Sequence, residues 1–96
     1  MLIVDLTYIK PLSEVEKHVD AHREYLQEFY DKNMLIVSGP KQPKTGGVIV
    51  ANLSEEVMRG IIENDPFFKE NIAEFRVISF DPVKRSESFA ALISPN

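Results

Sequence analysis

Apolar positions follow two different periods along the chain, one typical of helices and one typical of strands. Between residues 14 and 32, five positions are separated by four, three, four and three residues, which places them on one stripe of a helix. Four of the five are apolar, and a histidine occupies the remaining one. An imidazole on a buried stripe needs hydrogen-bond partners for its ring nitrogens. The stripe consists of Val15, Val19, His22, Leu26 and Phe29.

Four short segments are rich in β-branched and aromatic residues, which is typical of strands. They cover residues 2–9, 34–38, 48–53 and 73–80. In the first segment, strict alternation separates a wholly apolar face from a mixed face that holds Asp5. The apolar face is therefore predicted to carry the helices.

Polar residues mark the predicted ends of two helices. Ser13 followed by Glu16 has the spacing of a capping box at the start of the first helix, and Asn33 is a predicted cap at its end. Ser54 is the predicted N-cap of a second helix that runs to about Glu63. The second helix has to end before Pro66, since the residue before a proline avoids helical angles.

The order of the elements is β-α-β-β-α-β, which predicts an α+β fold: a ferredoxin-like βαββαβ two-layer sandwich. Both helices would cover the same face of the sheet. The other face has no helix to cover it, so we expect a homodimer that pairs these faces. The predicted domain covers residues 1–83, and residues 84–96 form a tail. Its apolar part, residues 89–93, is expected to dock on the partner subunit or on its own sheet edge.

Length and charge narrow the class of protein. The chain has 96 residues, enough for one domain, and a formal net charge of −4. Its basic residues form no patch, so nucleic acid is not an expected partner. No apolar run approaches the ~20 residues of a membrane span. The chain has no cysteine, which excludes thiolate zinc sites and fits a reducing, cytoplasmic location.

Two polar residues, His22 and Asp65, each allow two interpretations. As a general acid/base, His22 would use a carboxylate to fix its tautomer, whereas a core histidine would simply bind a backbone carbonyl. Asp65 before Pro66 is also an ordinary helix-ending turn. His18 and His22 have the spacing of metal ligands, but no third ligand is apparent, so no metal is expected. Ser38 lies outside any nucleophile-elbow pattern and is not expected to be a nucleophile.

Four short motifs in their order resemble the YCII-related (YciI-like) domain family of dimeric α+β barrel proteins. They are His22, Ser38-Gly39-Pro40, Gly46-Gly47 and Asp65-Pro66-Phe67. The resemblance covers about residues 1–83. It implies that His22 and Asp65 form a catalytic dyad in a small cleft. At least one branch of the family resembles a dehydrochlorinase of chlorinated hydroxyhydroquinones, and the wider superfold includes muconolactone isomerases.

With this resemblance, we predict a cytoplasmic homodimer that carries out elimination or isomerisation on a small organic acid or anion, without a cofactor. His22 would move the proton and Asp65 would orient it. The predicted substrate contacts are Ser38, Gly39, Pro40 and Gly47. The alternative is a non-catalytic ligand-binding or assembly module that uses the same cleft, because a fold alone does not decide function.

Overall fold

The computed structural model describes residues 1–93, which form four strands and five helices. The strands are β1 (Leu2–Tyr8), β2 (Leu35–Pro40), β3 (Gly46–Ala51) and β4 (Ala73–Ser79). The helices are α1 (Leu12–Glu16), α2 (Val19–Asp31), α3 (Glu55–Glu63), α4 (Pro66–Lys69) and α5 (Glu87–Ile93).

The strands form one antiparallel sheet in the order β2-β3-β1-β4. This order is the one that a ferredoxin-like βαββαβ chain produces, so the predicted fold class is confirmed. None of the helices in residues 1–93 has the length and apolarity needed to cross a membrane.

The core lies between one face of the sheet and helices α1 to α4. In β1 the alternate residues Leu2, Val4 and Leu6 are buried, as the pattern predicted. They belong to one cluster with Val15 and Leu26 from the first helical segment and with residues of α3. The opposite sheet face, which holds Asp5, has no helix of this core on it.

The predicted single helix over residues 14–32 is wrong in one respect, because it is broken into α1 and α2. The amides of Lys17 and His18 bond the carbonyls three residues before them, Glu14 and Val15. Such tighter bonds end a helix. The apolar stripe continues across the break, and Val15 and Leu26 on either side of it are both buried. Apolar spacing alone therefore did not reveal the break.

The predicted capping box is also wrong. α1 begins earlier, and its N-cap is Pro11, whose carbonyl accepts from the amides of Glu14 and Val15. No side chain caps this helix. The prediction for α3 is confirmed, since Ser54 accepts a hydrogen bond from the amide of Val57 at 3.2 Å.

β2 runs further than predicted, through Gly39 and Pro40. It is an edge strand of the sheet, and a proline is tolerated there because one side of the strand needs no amide donors. β3 begins at Gly46, two residues earlier than predicted, and ends at Ala51. Residues 66–69, for which no element was predicted, form the short helix α4.

Two asparagines close helices in the left-handed conformation. Asn33 has φ 57°, and the amides of Asn33 and Met34 bond carbonyls of the last turn of α2, as expected for its predicted capping role. Asn71 has φ 58° and closes α4 in the same way, with the amide of Ile72 bonding the carbonyl of Phe67 at 2.9 Å. These caps aim the chain directly into β2 and β4.

The tail forms α5, which begins beside Ser86, whose Oγ accepts from the amide of Phe89. α5 has no buried residue, and Leu92 is 73% exposed. Its last carbonyl, that of Ile93, accepts a weak bond from the Asn52 side chain at 3.4 Å. Residues 94–96 of the predicted tail lie outside the described residues. The docking of the tail and the domain boundary at residue 83 stay predictions.

Candidate functional site

A short hydrogen bond joins the two residues singled out in the sequence. His22 Nδ1 and Asp65 Oδ1 lie 2.8 Å apart. The Asp65 side chain is 1% exposed and the His22 side chain 13%. Because an ionised carboxylate only accepts hydrogen bonds, Nδ1 has to carry the hydrogen. This leaves Nε2 without a hydrogen when the ring is neutral.

Asp65-Pro66-Phe67 is the local structure that holds the imidazole. Asp65 is the N-cap of α4, and its Oδ1 also accepts from the amide of Phe67 at 2.8 Å. Pro66 suits the first position of a helix because that position needs no amide donor. The Phe67 ring stacks on the His22 ring, with centroids 4.0 Å apart and planes 2° apart. One turn of chain therefore fixes both the direction and the plane of the imidazole.

The remaining ring nitrogen of His22 is accessible. Nε2 has no hydrogen-bond partner among the described residues, and it is not one of their buried, unpartnered polar atoms. His22 lines a cavity of about 740 Å³ between α1, α2 and the β2–β3 side of the sheet. This volume lies within the range of small-molecule sites. The cavity walls near the core are apolar and include Leu6, Val15, Leu26 and Ile49.

A pair of hydroxyl groups lies in the same cavity. Tyr30, two turns after His22 on α2, donates to Ser38 Oγ at 2.5 Å. Ser38 is on the edge strand β2, so this bond also ties α2 to the sheet.

Two exposed cations, Arg23 and Lys44, line the cavity as well, and neither forms an ion pair with another residue of the described part. Two carboxylates, Glu16 and Asp20, line it too. The cavity therefore offers a nitrogen base, hydroxyl groups and charges of both signs around an apolar interior.

The structure brings the predicted site residues together, with one difference in their placement. Asp65 does not line the cavity and lies behind the imidazole. The other five do line it: His22, Ser38, Gly39, Pro40 and Gly47.

The sequence interpretation did not predict three polar residues of the site, Arg23, Tyr30 and Lys44. Phe67 was named only as part of the Asp65-Pro66-Phe67 motif, and its contact with His22 was not predicted. Arg23 follows His22 directly and reaches the cavity from the rim of the helical stripe that holds His22. Tyr30 follows Phe29, the last stripe residue, and reaches the cavity through its long side chain. For Phe67, its place after Asp65-Pro66 was the available signal.

Two other tyrosines, Tyr8 and Tyr25, differ in whether they reach the cavity. Tyr8 does line the cavity. Tyr25 instead donates to the carbonyl of Ile61 at 2.6 Å and so joins α2 to α3. Burial, together with the nearby negative charges of Asp65 and Glu28, raises the pKa of Tyr25 to about 12.

No group of three or more metal-ligating side chains occurs within residues 1–93. His18 is the N-cap residue of α2 and is not among the cavity residues. Residues suited to holding a metal ion are therefore not brought together in this part of the chain.

Comparison with known proteins gives a family and a fold. The model of a family described as the YCII-related domain matches residues 1–81. A solved structure with TM-score 0.69 is the 5-chloro-2-hydroxyhydroquinone dehydrochlorinase from Burkholderia phenoliruptrix AC1100, in complex with 2,5-dihydroxybenzoquinone. It is 23% identical, and the match covers 84% of this chain and 94% of that one. No curated protein sequence matches significantly.

Proposed function

The chain belongs to the YCII-related domain family, and we propose that it is a small-molecule enzyme in which His22 and Asp65 move a proton without a cofactor. The observation that carries this proposal is the 2.8 Å bond from a buried carboxylate to one nitrogen of an imidazole that lines a large cavity. Half of the imidazole is thus fixed by the protein, and the other half is available to a ligand.

The roles follow from the tautomer. With its hydrogen on Nδ1, neutral His22 presents the lone pair of Nε2 to the cavity and can accept a proton from a bound acid. The imidazolium that results is stabilised by Asp65. Returning the proton to another atom of the same molecule gives an isomerisation. Departure of a leaving group with its bonding electrons gives an elimination, and the proton and the leaving group are then released together.

The ligand class is a small organic acid or anion. The solved structure described above is of a dehydrochlorinase of a chlorinated hydroxyhydroquinone, and we propose a substrate of that kind, a planar ring with acidic hydroxyl groups. The apolar walls suit the ring, and Arg23 and Lys44 suit its negative charge. Ser38, Gly39, Pro40 and Gly47 are the proposed substrate contacts of the β2–β3 side.

We expect a turnover screen of chlorinated hydroxyhydroquinones and unsaturated lactones to find a substrate that depends on His22. His22→Gln keeps a donor toward Asp65 but removes the base, and it should lower kcat by roughly 10²–10⁴-fold. His18→Gln is the matched control, since this histidine is outside the cavity, and it should keep full activity. Equal loss in both variants, or turnover that survives in His22→Gln, contradicts the proposed role.

A non-catalytic ligand-binding or assembly module is the second candidate. The observation that favours it is the cavity itself, whose apolar walls would hold a ligand whether or not any proton moves. This candidate predicts that compounds bind to the wild-type protein and to His22→Gln alike, and that none of them is converted.

The assembly that we propose is a homodimer formed by the sheet face opposite the helices. Cross-strand register places Ile3, Val50 and Ile78 on this face, with Asp5 opposite Arg76 on the same face. The face also holds Glu74, and Asp5 forms an ion pair with Lys41. An apolar centre with charges of both signs suits a self-complementary, two-fold interface. Val48 belongs to this face and also lines the cavity, so a second copy would border the site.

A further inference from the structure

The hydrogen bond between the hydroxyl groups of Tyr30 and Ser38 has a defined donor and acceptor. We propose that Ser38 donates its hydroxyl hydrogen to an oxygen of the substrate, and that Tyr30 is a positioning residue that orients this hydroxyl. The inference rests on the proposed function and names a second contact to the same substrate, at the end of the cavity away from His22.

The direction of the hydrogen bond follows from the chemistry of the two groups. A phenol is more acidic than an alcohol, so at 2.5 Å Tyr30 donates and Ser38 Oγ accepts. Ser38 then keeps its own hydrogen, and no described residue accepts it. Because hydrogen bonds in a chain polarise one another, the bond from Tyr30 makes the Ser38 hydroxyl a better donor.

Ser38 lines the cavity together with Gly47 and Ile49 of the neighbouring strand β3. A ligand oxygen inside the cavity can therefore approach the serine hydroxyl. The backbone of Ser38 is also held in place, since Ser38 pairs in register with Ile49, a buried residue of β3.

The substrate class follows from the separation of the two polar ends. Tyr30 comes eight residues after His22, which is ~12 Å along the helix axis. The base and the hydroxyl donor thus approach different parts of one ligand, with apolar walls between them. This arrangement selects a planar, largely apolar molecule with an acidic hydrogen at one end and an oxygen acceptor at the other.

A double-mutant cycle tests the proposal, with 2,5-dihydroxybenzoquinone as the probe and calorimetric affinity as the readout. Ser38→Ala should weaken binding about tenfold, as expected for one hydrogen bond. Tyr30→Phe should weaken it by about three- to tenfold when Ser38 is present. In the Ser38→Ala background, the same change should have no effect, because Tyr30 acts through the serine. Ser38→Thr keeps the hydroxyl and should recover most of the affinity.

Several outcomes overturn the proposal. Equal effects of Tyr30→Phe in the two backgrounds would mean that the tyrosine does not act through Ser38. A wild-type protein that does not bind the probe would exclude this substrate class. Tyr25→Phe removes a hydroxyl outside the cavity and should leave the affinity unchanged. The roles of His22 and Asp65 are judged separately, by turnover and by the ring tautomer, so either proposal can fail alone.

Discussion

A single carboxylate oxygen, Oδ1 of Asp65, accepts two hydrogen bonds. One comes from the amide of Phe67 and starts α4, and the other comes from His22. The two interpretations of Asp65 that the sequence left open, a turn residue and a partner of the histidine, are therefore compatible. The sequence could indicate the cap, since Asp before Pro is a local pattern. The 2.8 Å contact with a residue 43 positions away depends on how α2 and α4 pack, which no local pattern states.

A shorter side chain at position 65 can keep one of these two hydrogen bonds and lose the other. Asp65→Ser keeps a capping oxygen for the Phe67 amide but does not reach the imidazole. We expect His22 to lose its Nδ1–H preference, as measured by the ¹⁵N shifts of its ring nitrogens in a His18→Gln background. The free energy of unfolding should fall by about 1–3 kcal/mol for the lost bond. Asp65→Ala should cost a further ~0.5–2 kcal/mol, because the cap is lost too.

Two results with these variants would contradict the expectations. If the wild-type ring carries its hydrogen on Nε2, the proposed orientation is wrong. If Asp65→Ser and Asp65→Ala are equally stable, the capping bond contributes nothing to the fold.

The raised pKa of Tyr25 predicts that the folded protein loses stability at alkaline pH. Its pKa is raised to about 12 in the folded chain, whereas an exposed tyrosine titrates near 10. Between these values the unfolded chain binds fewer protons than the folded chain, so stability has to fall as the pH rises from about 10 to 12. Urea midpoints over this window should fall more steeply for the wild type than for Tyr25→Phe. Parallel curves would contradict this.

At the scale of elements, the start of β3 is determined by a close backbone contact between β3 and β1, and not by the strand propensity of its residues. A Cβ on Gly46 would lie 1.8 Å from the carbonyl oxygen of Leu6, so only glycine allows β3 to pair with β1 there. The strand accordingly starts at this glycine and not at Val48. The helix break at Lys17 and the four-residue α4 escaped prediction for a related reason. Both depend on a few backbone bonds that the apolar spacing does not encode.

The same substitution at two glycines should change stability in opposite directions. Gly46→Ala forces β1 and β3 apart, and we expect a loss of several kcal/mol or failure to fold. Gly60 lies in α3 with no atom within 4 Å of an added Cβ. Gly60→Ala should therefore raise the free energy of unfolding by about 0.5–1 kcal/mol. Thermal and urea unfolding of both variants measures this, and a stable Gly46→Ala protein would contradict the close approach.

At the scale of the whole molecule, the two faces of the sheet differ. One face is filled by the core, and the other displays apolar side chains without a helix of that core, including Val37, which is 55% exposed, and Ile78 at 38%. Alternation within β1 was enough to predict which face is buried. The partner that would cover the open face is not encoded in any alternation, so the homodimer stays a prediction.

A charge on the open face should dissociate the proposed dimer. Sedimentation at micromolar concentration should give about twice the chain mass of 11.0 kDa for the wild type, since an obligate interface of this kind buries upwards of ~2,000 Å². Ile78→Lys should give a monomer. Val57→Lys, on the exposed side of α3, introduces the same charge elsewhere and should stay dimeric. A wild-type monomer would disprove the assembly.

Asp65 both caps α4 and binds His22. Selection would therefore act differently on these two residues if the protein lost its activity. A descendant that abandoned the chemistry would still be selected to keep Asp65 or another capping residue there, because α4 begins at this position. His22 would be free to become another donor, such as glutamine, that satisfies the carboxylate but transfers no proton. Among homologous sequences, a retained capping residue at position 65 therefore reports an intact fold. Loss of the histidine beside it would mark a pseudoenzyme.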